Sequence, residues 1–260
     1  MIHLSLLTWL ALGGVQHTTV EPPQEQTSRG ARRAAVPATS RWFYVGIAIA
    51  ALVVIAIGFV PSFSKRPSTI AALAPHVIVH ATLFMSWTVL FLVQAALVAT
   101  GHTRVHRRLG VAAAAIAVTM VVTAPPMAIS FARRGLPPGD PLANLLVLLV
   151  DPLLFAVFVG AGILYRRRAE AHKRLMLLAM VCMLPPAISR WPIAVRHPVV
   201  VFPIVLLTFL GAPLVHDFPA RRRPHPVSLW GGLVLFAAGP LRIAFSQSAA
   251  GHDLARWLIR

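Results

Sequence analysis

Long apolar runs alternate with short polar and basic connections over most of this chain. Seven runs are predicted as membrane-spanning helices, at roughly 43–61, 76–99, 110–131, 143–165, 174–193, 198–216 and 228–246. A helix rising about 1.5 Å per residue needs about 20 residues to cross a hydrocarbon core of about 30 Å. The second run carries a further pattern. His76 and His80 are four residues apart, so they share one helix face. His80, Trp87 and Gln94 are spaced by seven, nearly two turns, and extend that face as a polar stripe. Such a stripe must face protein, water or a ligand, since lipid offers it no partners.

The first 40 residues do not follow this pattern. Met1–Gly14 is apolar but too short to span, and no Lys or Arg precedes it, which makes a poor signal peptide. Residues 15–40 are polar and rich in Pro, Arg and Thr, the composition of a disordered extension. A translation start near Val36 would leave residues 1–35 as an upstream extension. Residues 41–260 then form one seven-helix transmembrane domain, joined by connections short enough to make consecutive helices neighbours. The expected fold is an all-α integral membrane bundle. No internal repeat points to a duplicated transporter.

Composition supports the same class. Of 260 residues, 57% are hydrophobic and 12% charged, against about 25% charged in soluble domains. The net charge is +17, but the basic residues are gathered between apolar runs, where they set topology. That distribution makes the lipid bilayer the partner and excludes nucleic acid. With the N-terminus inside, the inner segments hold 15 Lys and Arg and the outer ones nine. The expected orientation is therefore N-terminus in and C-terminus out. One cysteine, Cys182, lies in an apolar run, which excludes an internal disulfide and any cysteine-based zinc or iron–sulfur site.

Within the spans, Asp151 lies about eight residues into the fourth. A carboxylate at that depth costs about 2.5–3.5 kcal/mol on insertion scales, so it requires a partner or a role. Arg190 and Arg242, in the outer parts of the fifth and seventh spans, are the candidate partners of an intramembrane charge cluster. The pairing either fastens helices together or provides a carboxylate for proton or substrate handling. Prolines at 125–126, 152, 185–186, 203 and 240 predict bends, which membrane helices tolerate when neighbours satisfy the freed carbonyls.

Eleven histidines in so apolar a chain invite a ligand reading, because imidazole is the commonest metal ligand and an axial haem ligand. His76 and His80 supply half of a tetrahedral site, and His197 or Asp151, on the same side, could complete it. On the other side, His106 and His172 fall near basic connections, with a headgroup-facing surface or a second haem or metal site as the two readings. Trp87 and Gln94 would form the shell around the His80 face. The candidate cofactor residues are thus His76, His80, His106, His172, Trp87 and Gln94, and the candidate metal ligands His76, His80 and His197. Haem b or a transition metal is the cofactor class that suits them.

There is no Gly-rich phosphate loop, GxSxG elbow, HExxH or paired carboxylate motif, which leaves hydrolase and kinase chemistry without support. The order HxxxH from His76, GHTRVHRRLG from Gly101, AHKRLMLLA from Ala171 and HPVSLWGG from His225 resembles a family of uncharacterised bacterial multi-pass inner-membrane proteins. That likeness runs from about Trp42 to the C-terminus. More loosely, the His-bearing HRRLG and HKRLM segments are similar to transmembrane b-type cytochromes, in which histidines on neighbouring helices grip haem. The first resemblance implies a bacterial inner-membrane protein and carries no activity with it; the His-rich polar site is what points to haem or transition-metal binding, for electron transfer to a redox partner or for metal handling. A small-molecule or proton-coupled transporter using Asp151, and a structural or assembly protein without ligand, are the competing expectations.

Overall fold

The computed structural model describes residues 38–64, 75–135, 139–221 and 223–260. The expectations of a disordered extension and of a late translation start fall almost wholly on residues 1–37, outside the described residues. The helices are α1 (Ala38–Ser64), α2 (Pro75–Ala99), α3 (Thr103–Arg133), α4 (Pro141–Leu164), α5 (Ala169–Val181), α6 (Pro185–Ile188), α7 (Pro192–Arg196), α8 (Pro198–Arg221), α9 (Pro226–Ser246) and α10 (Ala249–Leu258). No strand occurs among the described residues. Seven segments are long and apolar enough to cross a membrane, α5 and α6 together making the fifth. This is an all-α, multi-pass membrane bundle.

The surface is that of a lipid-facing protein. Large aliphatic side chains stand exposed along the spans, Val111, Leu164 and Val199 among them. In soluble proteins such a surface would form interaction patches; here hydrocarbon covers it. Polar backbone groups have no water to turn to at that depth, so each span is a helix that satisfies its own ladder.

α5 is the centre of the bundle. It packs on α4, α9, α8 and α1, while α2 lies between α1 and α3, and α4 touches α3, α5, α9 and α10. Its end shows why it stops. Pro185 and Pro186 have no N–H to offer the carbonyls one turn back. The chain tightens instead: Met183 N–H bonds Met180 O and Leu184 N–H bonds Val181 O, both at 3.1 Å. The α6 turn then docks on α1, where Gly58 meets the Ala187 backbone so closely that any Cβ would strike the Ala187 carbonyl. Small residues permit this approach in membranes, where packing rather than water expulsion holds helices together. Trp191 donates its indole N–H to the Val54 carbonyl of α1, at 3.3 Å.

Two helices begin earlier than the apolar pattern predicts. α3 starts at Thr103, just after Gly101 turns the chain at a φ of 85°. α5 starts at Ala169. The ends of membrane helices run on into the polar boundary, where charged residues with good helix propensity cost nothing. The consequence is that His106, His172 and Arg174 stand on helices rather than in connections. The α2–α3, α4–α5 and α8–α9 connections lie at one end of the bundle, with Arg104, Arg107, Arg108 and Arg166 to Arg168 exposed there; it is called the basic end below.

Candidate functional site

At the basic end, three helices bring imidazole and amide groups together. His172, in the first turn of α5, places Nδ1 2.8 Å from the Gly162 carbonyl of α4. A carbonyl only accepts, so Nδ1 carries the proton and donates. Gly162 belongs to the last turn of α4, whose carbonyls have no helical donors of their own, and a histidine is a favourable partner for that end of a helix dipole. The bond fixes the ring and leaves Nε2 as its second nitrogen.

His106, on the first turn of α3, faces this ring edge to face, with centroids 6.2 Å apart and planes at 82°. Its Nδ1 is buried and has no hydrogen-bond partner among the described residues. The ring lies beside the Gln94 backbone of α2. The Gln94 amide nitrogen reaches toward Gly110 of α3, 3.6 Å from where a Cβ would stand, and its Oε1 is likewise buried and unpaired. Two turns deeper, Trp87 is buried, stacked on Phe91 at 5.8 Å and edge-on to Phe155 of α4 at 4.9 Å. His80 is half-buried, and its buried Nδ1 has no hydrogen-bond partner among the described residues. The stripe read from the sequence therefore does face protein.

Imidazole is a ligand type for borderline metals and haem iron; among the described residues no third His, Cys, Asp or Glu joins this pair. Two imidazoles on opposite sides of one ion, each bound at about 2.0–2.1 Å, have ring centres about 6 Å apart, close to the observed separation. The carbonyl-bound Nδ1 of His172 is the usual outer partner of a ligating histidine. Unpaired buried nitrogens and amide oxygens are also costly in this setting, which favours a bound group that engages them.

The histidines at the opposite end stand apart from one another. His76 Nε2 lies 3.1 Å from the Ser130 hydroxyl of α3. His197 caps the joint between α7 and α8 and is exposed. Among the described residues, no three of His, Cys, Asp and Glu are grouped to hold a metal ion; His76, His80 and His197 are thus not brought together.

Asp151 of α4 and Arg242 of α9 do meet, at 2.5 Å, both partly buried. Arg190 takes no part in that pair. Its guanidinium lies 4.4 Å above the Phe59 ring and donates to the Pro186 carbonyl. Its position beyond the α6 turn points it toward α1 rather than α4.

A larger ionic network escaped the sequence reading. Arg174 of α5 is 2% exposed and forms a two-pronged pair with Asp217 of α8, itself 3% exposed. Glu170 bonds the same guanidinium and also Lys173, each at 2.7 Å. Lys173 lies over the Tyr44 ring of α1, at 5.2 Å. The spacing of Glu170 and Arg174 by four was a readable signal; it was hidden because Arg174 reads as one more basic residue near a span end. The terminal helix α10 was also missed. It is held by His252 on Asp140, at 2.7 Å, and by Arg133 on the Ile259 carbonyl, at 3.5 Å. No family model matches this chain, and no curated protein or solved structure matches it either.

Proposed function

We propose that this protein is a bacterial inner-membrane protein that binds haem b or a transition metal through His106 and His172, serving electron transfer or metal handling. The observation that carries the reading is the His106–His172 pair: two imidazoles from different helices, 6.2 Å apart, one of them oriented by a backbone carbonyl. Gln94 adds a polar group beside His106, and Trp87 closes the apolar side. The bound group would supply the redox or Lewis-acid chemistry. The chain's part is to present two imidazole nitrogens, to hold His172 by Gly162, and to shield the site with Trp87, Phe91 and Phe155. A site at one end of the bundle suits exchange with a redox or metal-donating partner on that face. The test is haem and elemental analysis of protein purified from haem- and metal-replete cells. Stoichiometric haem or metal in the wild type and the His102→Ala control, lost in His106→Ala and His172→Ala, supports the reading; its retention in both variants defeats it.

A second reading is a proton-coupled or small-molecule transporter centred on Asp151. It draws support from Arg242, whose buried Nε has no hydrogen-bond partner among the described residues. Proton-linked uptake abolished by Asp151→Asn selects it. Silence on both counts would favour the third reading, a structural or assembly component without ligand.

A further inference from the structure

We infer that one structural water is bound between α5, α8 and α9 toward the basic end, where it joins α9 to the buried Arg174–Asp217 pair. A small, largely enclosed cavity of about 10 Å³ lies between α5, α8 and α9, with Arg174, Phe209, Pro213 and Ser228 in its wall. The rest of the wall is leucine and valine. About 10–15 Å³ is the space a single water centre needs, given two to four polar partners.

Three partners are present. Ser228, 3% exposed, lines the cavity, and its buried Oγ has no hydrogen-bond partner among the described residues. Arg174 has five N–H groups, of which Nε, both on Nη1 and one on Nη2 are used by Asp217 and Glu170. One Nη2 hydrogen remains. The third partner follows from Pro213. With no N–H, it cannot donate the helical bond that the Phe209 carbonyl, four residues back in α8, would accept. A water here donates to the Phe209 carbonyl and the Ser228 hydroxyl and accepts from Arg174.

Charge and size choose water over an ion. Arg174 is already balanced by Asp217 and Glu170, so a halide would add an unpaired negative charge in a region of low dielectric. The space is too small for any larger ligand. A buried polar site between packed helices is costly when a group is left unsatisfied, and the water completes the set.

The test is a structure of the full chain in lipid nanodiscs, at a resolution that shows ordered water, for the wild type and Ser228→Ala. We expect in the wild type one solvent peak at hydrogen-bond distance, about 2.7–3.2 Å, from both Ser228 Oγ and the Arg174 guanidinium. In Ser228→Ala the peak weakens or vanishes while the Arg174–Asp217 pair stays in place. A wild-type map with no peak there, and Ser228 Oγ turned onto the Pro224 or His225 carbonyl, overturns the inference. So does a peak that bromide replaces, which marks an anion.

Discussion

Arg174 and Asp217 grip each other by two bonds across the α5–α8 contact, with almost no exposure to solvent on either side. Breaking a buried pair by removing one partner leaves an uncompensated charge, a loss of about 3–5 kcal/mol. Asp217→Asn and Arg174→Met are each expected to lose that much stability. The double replacement Arg174→Met with Asp217→Leu should recover most of it, because two apolar residues of similar volume leave no orphan. Thermal unfolding of the four proteins in detergent measures the cycle. Equal loss in the double and single variants would mean that packing, not charge, holds this contact.

Gly58 is the second fixed point. Its Cα lies against the Ala187 backbone with no room for a side chain. Gly58→Ala must push α6 off α1, and overpacking of this kind costs about 1–3 kcal/mol. Gly46, on the same helix with open space around it, is the control. The prediction is a lowered Tm for Gly58→Ala and little change for Gly46→Ala.

Asp140 couples the end of the chain to pH. Partial desolvation raises its carboxyl pKa, but the N–H groups of Leu142 and Ala143 and the His252 ring together outweigh it and hold the pKa below the usual carboxylate value. A carboxylate depressed on folding contributes stability that is fully present above its unfolded pKa of about 3.9. That contribution is lost as pH falls through the lower folded value. Acid titration of unfolding should therefore show a steeper loss in the wild type than in Asp140→Asn below about pH 4. Identical acid limbs would show that the α4 cap and α10 latch carry no pH-linked stability.

Around α10 the side chains fall into three sectors. Gly251 and Ala255 are buried against the bundle, Leu254 and Trp257 are exposed and apolar, and Asp253 and Arg256 are exposed and paired with each other at 2.6 Å. A helix divided in this way is expected to lie at a membrane–water boundary, with its tryptophan at headgroup level. In a variant whose sole tryptophan is Trp257, brominated lipid should quench its fluorescence strongly. Quenching by aqueous iodide in preference to lipid would place the helix in water.

The seven spans were legible because crossing hydrocarbon imposes a length and composition that few other elements meet. The Asp151–Arg242 pair was legible for a related reason: a carboxylate inside a membrane must find a cation, and only two were at hand. Choosing between Arg190 and Arg242 needed the packing of α9 on α4, which no periodicity encodes. The central place of α5 was hidden too, because its first turns look like a basic connection, and it is the contact with Asp217 that buries Arg174. His106 and His172 were visible as histidines in basic segments, but their meeting depends on the α3 and α5 helices starting early enough to carry them. The ten residues of α10 were too short and too mixed in character to register as a span.

Cofactor binding by His106 and His172 is read directly in the visible spectrum of the purified protein, oxidised and then reduced by dithionite, with metal content measured on the same sample. The expected result is either a Soret band with a sharp α-band on reduction or a stoichiometric transition metal, in each case abolished by His106→Ala and by His172→Ala. A folded, colourless and metal-free wild-type protein from cells replete in haem and metals would contradict it.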